Sequence, residues 1–164
     1  LRNMPPEIPE GSVRENNDTG VLEIFRNGNW SQFETMTELL ENCSGRIGEI
    51  LGQTKIKFET GSSLISASSS STIDGLAAIL GPCFRNSRAL IEIGGHTDNV
   101  GNTKNNLTLS KARAEAVRQA LIEKGIEGTR IISKGFGDAH AIGDNNTAEG
   151  RAQNRRTTFT WITE

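Results

Sequence analysis

The segment from Leu107 to Lys124 constrains the chain more than any other, because it reads as the clearest helix and is stopped by Gly125. At about 100° per residue, Leu109, Ala112, Ala116, Val117, Ala120 and Leu121 fall on one face. Upstream lies Leu90 to Ile93, an apolar strand closed by Gly94-Gly95, and then a loop from His96 to Asn106. A one-sided helix following an apolar strand must bury its stripe on a sheet, so the pair predicts a layer of helix on a layer of strand.

The rest of the chain extends that pattern. Residues 1–20 carry Pro5, Pro6, Pro9 and a polar run from Arg14 to Gly20, which predicts a linker or extended arm. Val21 to Phe25 reads as a short strand before the turn signal Asn27-Gly28-Asn29. From Phe33 the period becomes helical through Met36, Leu39, Leu40, Cys43, Ile47, Ile50 and Leu51, with Gly45 and Gly48 as places for a break. Lys55 to Phe58 reads as a strand. Ser66 to Ser71 caps a helix that carries Ile73, Leu76, Ala77 and Leu80. Ile131 to Ser133 predicts a strand running into Gly135-Phe136-Gly137. The polar segment from Asp138 to Gln153 predicts at most one helical turn, and Thr157, Phe159 and Trp161 alternate along a last strand. The order is β-α-β-α-β-β, an α+β two-layer sandwich with helices on one face of a small mixed sheet. The division expected is an N-terminal extension over residues 1–50, with a short strand and a helix, and a domain over 51–164.

One residue does not belong. Arg113 stands four positions after Leu109 and four before Val117, in the middle of the apolar stripe. A guanidinium there needs a partner, since an unpaired buried charge costs several kcal/mol. An internal salt bridge or escape to solvent would satisfy it. So would a pocket in which it grips a carboxylate with two parallel hydrogen bonds. Asp98, in Gly94-Gly95-His96-Thr97-Asp98-Asn99, emerges at the strand end, where ligands often meet such sheets; a turn-forming Asp bonding its own backbone is the plainer alternative. Together Asp98 and Arg113 offer one negative and one positive group, a grip for a ligand bearing both an ammonium and a carboxylate.

Composition removes other functions. A formal net charge of −2 gives no footprint for nucleic acid. No apolar run approaches the ~20 residues needed to span a bilayer. With Leu1 at its start and no signal peptide, the sequence reads as an excised piece of a longer protein, with any membrane anchor elsewhere. His96 and Asp98 form an H-x-D pair without a third ligand, so no metal or other cofactor is expected. His140 reads as a surface histidine, and Ser110 lacks a nucleophile elbow, so no enzyme is expected. Cys43 and Cys83 are either two buried thiols or a disulfide, which would contribute about 3–4 kcal/mol in an oxidising compartment.

Gly95-His96-Thr97-Asp98, Asn106, Leu109-Ser110 and Arg113-Ala114 resemble the central signature of the OmpA-like peptidoglycan-binding family. Gly135-Phe136-Gly137, Asn145, Glu149-Gly150-Arg151 and Asn154-Arg155-Arg156 are similar to its closing motifs, and Ile56-Lys57-Phe58 and Leu64 to its opening strand and loop. The resemblance runs over roughly residues 50 to 162. It departs at Ala141, where the family commonly has Pro, at Thr157, where an apolar residue is common, and throughout the first 50 residues. It implies a periplasmic, outer-membrane-associated envelope protein of the Gram-negative type, with peptidoglycan as partner. Asp98 would hold the side-chain ammonium of diaminopimelate and Arg113 the carboxylate on the same carbon. Thr97, Asn106 and Leu109 would wall the pocket, with His96 and Arg156 in support. The cysteine spacing resembles a disulfide-bearing branch of such proteins, which favours a Cys43–Cys83 bond. The competing reading is a protein-interaction scaffold of an envelope complex, in which Asp98 and Arg113 pair with each other and the N-terminal arm contacts a neighbouring subunit.

Overall fold

The computed structural model describes residues 5–163; the linker expectation for residues 1–4 lies outside them. Strands β1 (Val13–Glu15), β2 (Leu22–Arg26) and β3 (Asn29–Gln32) form an antiparallel meander. The expectation of a linker to residue 20 is therefore corrected, since Val13 pairs with Ile24 and Glu15 with Leu22. A short strand with one solvated face has no continuous apolar run to announce it. The turn at Asn27-Gly28 forms as expected, with φ of 51° and 81°; two positive φ values match a two-residue turn to the strand twist.

Helix α1 (Met36–Gln53) starts at Thr35, whose Oγ accepts the Glu38 N–H at 3.1 Å, so Phe33 precedes it. It runs unbroken through Gly45 and Gly48. Each glycine costs about 1 kcal/mol relative to alanine, and burial of Leu39, Leu40, Cys43 and Ile47 outweighs that. Cys43 and Cys83 are bonded, joining α1 to α2 (Ser70–Arg85) across a separation of 40 residues. Closing such a loop stabilises by about 4 kcal/mol on a chain-entropy argument.

Between these helices, Lys55 to Phe58 does not form the expected strand. Its pairing shrinks to one bridge, Phe58 with Ile65. The Lys57 N–H is taken by Ser69 Oγ at 2.8 Å, and the Lys57 and Leu64 carbonyls accept from Ser66 and Glu59 at 2.8 Å each. A local hairpin-like loop has captured the groups a sheet would need.

The main sheet has the order β5-β4-β6, from β4 (Leu90–His96), β5 (Ile131–Gly137) and β6 (Arg156–Ile162). β4 is central, parallel to β5 and antiparallel to β6. Alternation assigns the faces. Ile91 and Ile93 are fully buried in the core that also holds Leu76 and Leu80 of α2 and Val117 and Leu121 of α3 (Thr103–Glu123). The opposite face carries Ile132 and Ile162, 42% and 38% exposed. Helices thus cover one face of a mixed sheet, the two-layer α+β arrangement expected.

The buried side of α3 is Ser110, Ala114, Val117 and Leu121, whereas Ala112 is exposed. The predicted stripe is rotated, and Arg113 sits on its flank, half-buried. Glycines set the rotation. A Cβ on Gly95 would lie 2.1 Å from the Ser110 carbonyl oxygen, and one on Gly135 2.5 Å from the Lys111 nitrogen. Backbone of α3 at Ser110 and Lys111 thus lies directly on the backbone of β4 and β5. Helix α4 (Ala148–Asn154) makes nearly two turns where the polar composition predicts at most one, because Thr147 Oγ caps it by accepting the Gly150 N–H at 2.9 Å.

Candidate functional site

The site lies at the C-terminal end of β4. There the register shifts between Gly95 and His96, and the chain leaves the sheet through Thr97 and Asp98. Asp98 Oδ1 accepts the Val100 N–H at 3.0 Å, so the turn-forming role is real. Its other oxygen accepts from Arg155 Nη1 at 2.7 Å. The ion pair between Asp98 and Arg113 that a purely structural role requires is absent from the ion pairs of the described residues.

Arg113 instead donates from Nε to the Ser62 carbonyl at 2.9 Å. Its guanidinium lies 5.0 Å from the centre of the Phe58 ring, a distance at which the ring face attracts a cation. One edge of the fork is anchored, and neither Nη has a partner among the described hydrogen bonds. Burial lowers the pKa of Arg113 most, the nearby Arg155 charge lowers it further, and Asp98 opposes both.

Of the other expected residues, Arg156 and His96 line the cleft that Arg113 lines, and Thr97, Asn106 and Leu109 are not among its lining residues. Asn106 Nδ2 donates to the Val100 carbonyl at 3.0 Å and the Asp98 carbonyl at 3.4 Å, so it shapes the loop from beneath. Thr97 is buried, its N–H bonded to the Gly137 carbonyl at 2.8 Å and its hydroxyl unpartnered. Leu109 is half-buried on the α3 flank. Arg156 donates to the His140 carbonyl at 3.0 Å and the Asn154 carbonyl at 3.3 Å, bracing the loop before α4.

His96 points to the sheet face opposite α3. Its ring stacks on Phe136 with centroids 5.0 Å apart, and its Nε2 meets Thr158 Oγ at 3.0 Å. Burial first, then the charges of Arg156 and His140, push its pKa down to about 4. The neutral ring is the folded form, and the sign of the pH effect follows. Stability from this group is complete above pH 6.5, the ordinary histidine value. It declines toward about pH 4, as the unfolded chain binds a proton the folded one refuses. Denaturant midpoints should fall more between pH 7.5 and 4.5 in wild type than in His96→Gln; equal falls would show that His96 is not the group responsible.

Arg155 is the residue that sequence reasoning passes over. The Asn154-Arg155-Arg156 motif is visible, but support is assigned to its second arginine alone. A signal is available, since the motif opens β6 beside the end of β4, where the chain runs on to Asp98. Arg155, Arg113, Arg156, Lys55, Phe58 and His96 line one cleft of about 480 Å³, and Asp98 joins it through Arg155. A larger cavity of about 620 Å³, between Met36, Arg88 and Thr163, shares no lining residue with it. Among the described residues there is no cluster of His, Cys, Asp and Glu able to hold a metal, and no helix long and apolar enough to cross a membrane.

Comparison with known proteins addresses the same stretch. The chain is 35% identical over 105 residues to the probable lipoprotein YiaD of Escherichia coli (strain K12), covering 64% of this chain and 47% of that protein. It is 43% identical over 68 residues to the peptidoglycan-binding protein ArfA of Mycobacterium bovis, covering 42% of this chain and 21% of the relative. The chain thus spans half or less of the length of these curated relatives. Among solved structures, the peptidoglycan-associated lipoprotein from Burkholderia pseudomallei superposes with a TM-score of 0.56 at 26% identity, over 66% of this chain and 87% of that one. The model of the OmpA family matches residues 57–155, which include Asp98, Arg113 and Arg155, and the chain belongs to the OmpA family.

Proposed function

We propose that this domain binds peptidoglycan without covalent chemistry, through the diaminopimelate of its stem peptide, and so tethers an envelope protein to the wall. The observation that carries the reading is the half-buried Arg113 on the cleft, anchored by Nε to Ser62 with neither Nη partnered among the described hydrogen bonds, while Asp98 meets the same cleft through its ion pair with Arg155. A ligand carboxylate takes the open side of the guanidinium in two parallel bonds. The ammonium on the same carbon takes Asp98 in place of Arg155. Relatives named for peptidoglycan binding or association support the ligand class. The Cys43–Cys83 disulfide suits an oxidising, extracytoplasmic compartment.

Each charged contact contributes on the order of 1.5–3 kcal/mol, so one site gives moderate, reversible affinity, and many copies on one polymer give firm attachment. Co-sedimentation with purified diaminopimelate-type sacculi tests this. Wild type is expected in the pellet and Asp98→Asn in the supernatant, both folded by circular dichroism. Folded wild type remaining in the supernatant would refute wall binding and favour a protein ligand. Equal pelleting of the two would remove Asp98 from the site.

A further inference from the structure

Arg113 and Asp98 use only part of the cleft. Lys55, Lys57, Arg155 and Arg156 also line it, and no Asp or Glu does. Among the described residues, the one carboxylate in an ion pair with any of these cations is Asp98, on Arg155. Lys55 and Arg156 come from distant parts of the chain, after α1 and at the start of β6. Lys55 Nζ donates to the Ala152 carbonyl at 2.6 Å and the Arg155 carbonyl at 3.3 Å. An ammonium has three donors, so one is left over. Among the described residues the hydrogen-bond partners of the Lys55, Arg113 and Arg156 side chains are therefore neutral carbonyls.

We propose that Lys55 and Arg156 form a second anion subsite in this cleft, taking a carboxylate of the stem peptide other than the one held by Arg113. The inference rests on the stem-peptide reading and deepens it. Like charges that outnumber their counter-charges repel one another, and an arriving anion relieves that repulsion. The lowered pKa of Lys55 has this origin in part, from burial first and then from the charges of Arg155 and Arg156. The ligand chemistry fits. In a stem peptide, glutamate is joined to diaminopimelate through its side-chain carboxyl, which leaves its α-carboxylate free one residue away. Lys55 and Arg156 thereby read whether that carboxylate is free or amidated, a difference Arg113 does not sense.

Calorimetric titration of two synthetic tripeptides separates the possibilities. Both contain alanine, γ-linked glutamate and diaminopimelate, and they differ only in whether the glutamate α-carboxylate is free or amidated. Wild type should prefer the free form by about tenfold, the size of one charge-assisted hydrogen bond. Lys55→Met, which leaves Arg156 in place, should lose most of that preference, and Lys55→Arg should keep it. If wild type binds both forms equally, or Lys55→Met retains the preference, the subsite is wrong while diaminopimelate recognition stands. If wild type binds neither peptide, the stem-peptide reading itself fails and the subsite with it. Should Lys55→Met melt well below wild type, Lys55→Arg decides, because loss of preference with the charge retained contradicts the proposal.

Discussion

Arg113→Ala is expected to weaken binding of a diaminopimelate-containing stem peptide by roughly thirty- to a hundredfold, equivalent to about 2–3 kcal/mol. Its melting temperature should stay close to wild type. The two expectations diverge because of where the residue sits. Arg113 occupies the flank of α3, outside the buried row of Ser110, Ala114, Val117 and Leu121. Its polar contacts among the described residues are one hydrogen bond to Ser62 and the face of Phe58. Truncation removes them without opening a cavity in the core, a loss on the order of 1 kcal/mol. The ligand loses far more, because a carboxylate desolvated on binding is left without its fork. Arg113→Lys keeps the charge but not the planar pair of donors, so it should recover only a minor part of the affinity. Recovery to wild-type level by lysine would mean that the site reads charge alone.

Gly95→Ala should destabilise the fold by about 3 kcal/mol, the upper range for overpacking a closely packed interior. The added methyl carbon would lie 2.1 Å from the Ser110 carbonyl oxygen, which belongs to backbone and cannot rotate away. Relief requires α3 to lift off β4, and α3 carries Arg113. Ligand affinity should therefore fall with stability, although Gly95 contributes no side chain to the grip. Gly48→Ala provides the opposite sign, with nothing within 4 Å of its Cβ in α1. That variant should gain about 0.8–1 kcal/mol from helix propensity. Urea midpoints of the two variants against wild type read both effects. A Gly95→Ala midpoint at or above wild type would contradict the close helix–sheet approach on which the site geometry depends.

Much of this arrangement was legible in the residues. The apolar run Leu90 to Ile93 and the period of α3 announced a helix on a sheet, and the odd placement of Arg113 announced a guanidinium in need of a partner, which the fold supplies in part through the Ser62 carbonyl. The phase of the helix was not legible. Counting Ala112 and Ala116 as apolar turned the stripe toward Arg113, whereas the buried row starts at Ser110 and Ala114, and the backbone of Ser110 and Lys111 lies against Gly95 and Gly135. Hydrophobicity alone cannot report a close approach of two backbones; the glycines on the facing strands report it. Lys55 to Phe58 carried a strand-like pattern, yet Ser69 and a local loop took its backbone groups, a tertiary override of propensity. β1 was hidden by its polar composition. The partner of Asp98 was hidden because Arg155 lies 57 positions away, and only folding selects it over Arg113.

The most direct test of the zwitterion grip is a calorimetric titration of two stem peptides into wild type and Arg113→Ala. One peptide carries diaminopimelate and the other lysine, which keeps the ammonium and lacks the neighbouring carboxylate. The account predicts saturable binding of the diaminopimelate peptide by wild type, with the lysine peptide weaker by about the same thirty- to hundredfold as the Arg113→Ala substitution. It also predicts that Arg113→Ala no longer distinguishes the two peptides. Equal affinity of wild type for both peptides, or discrimination that survives in Arg113→Ala, would contradict it.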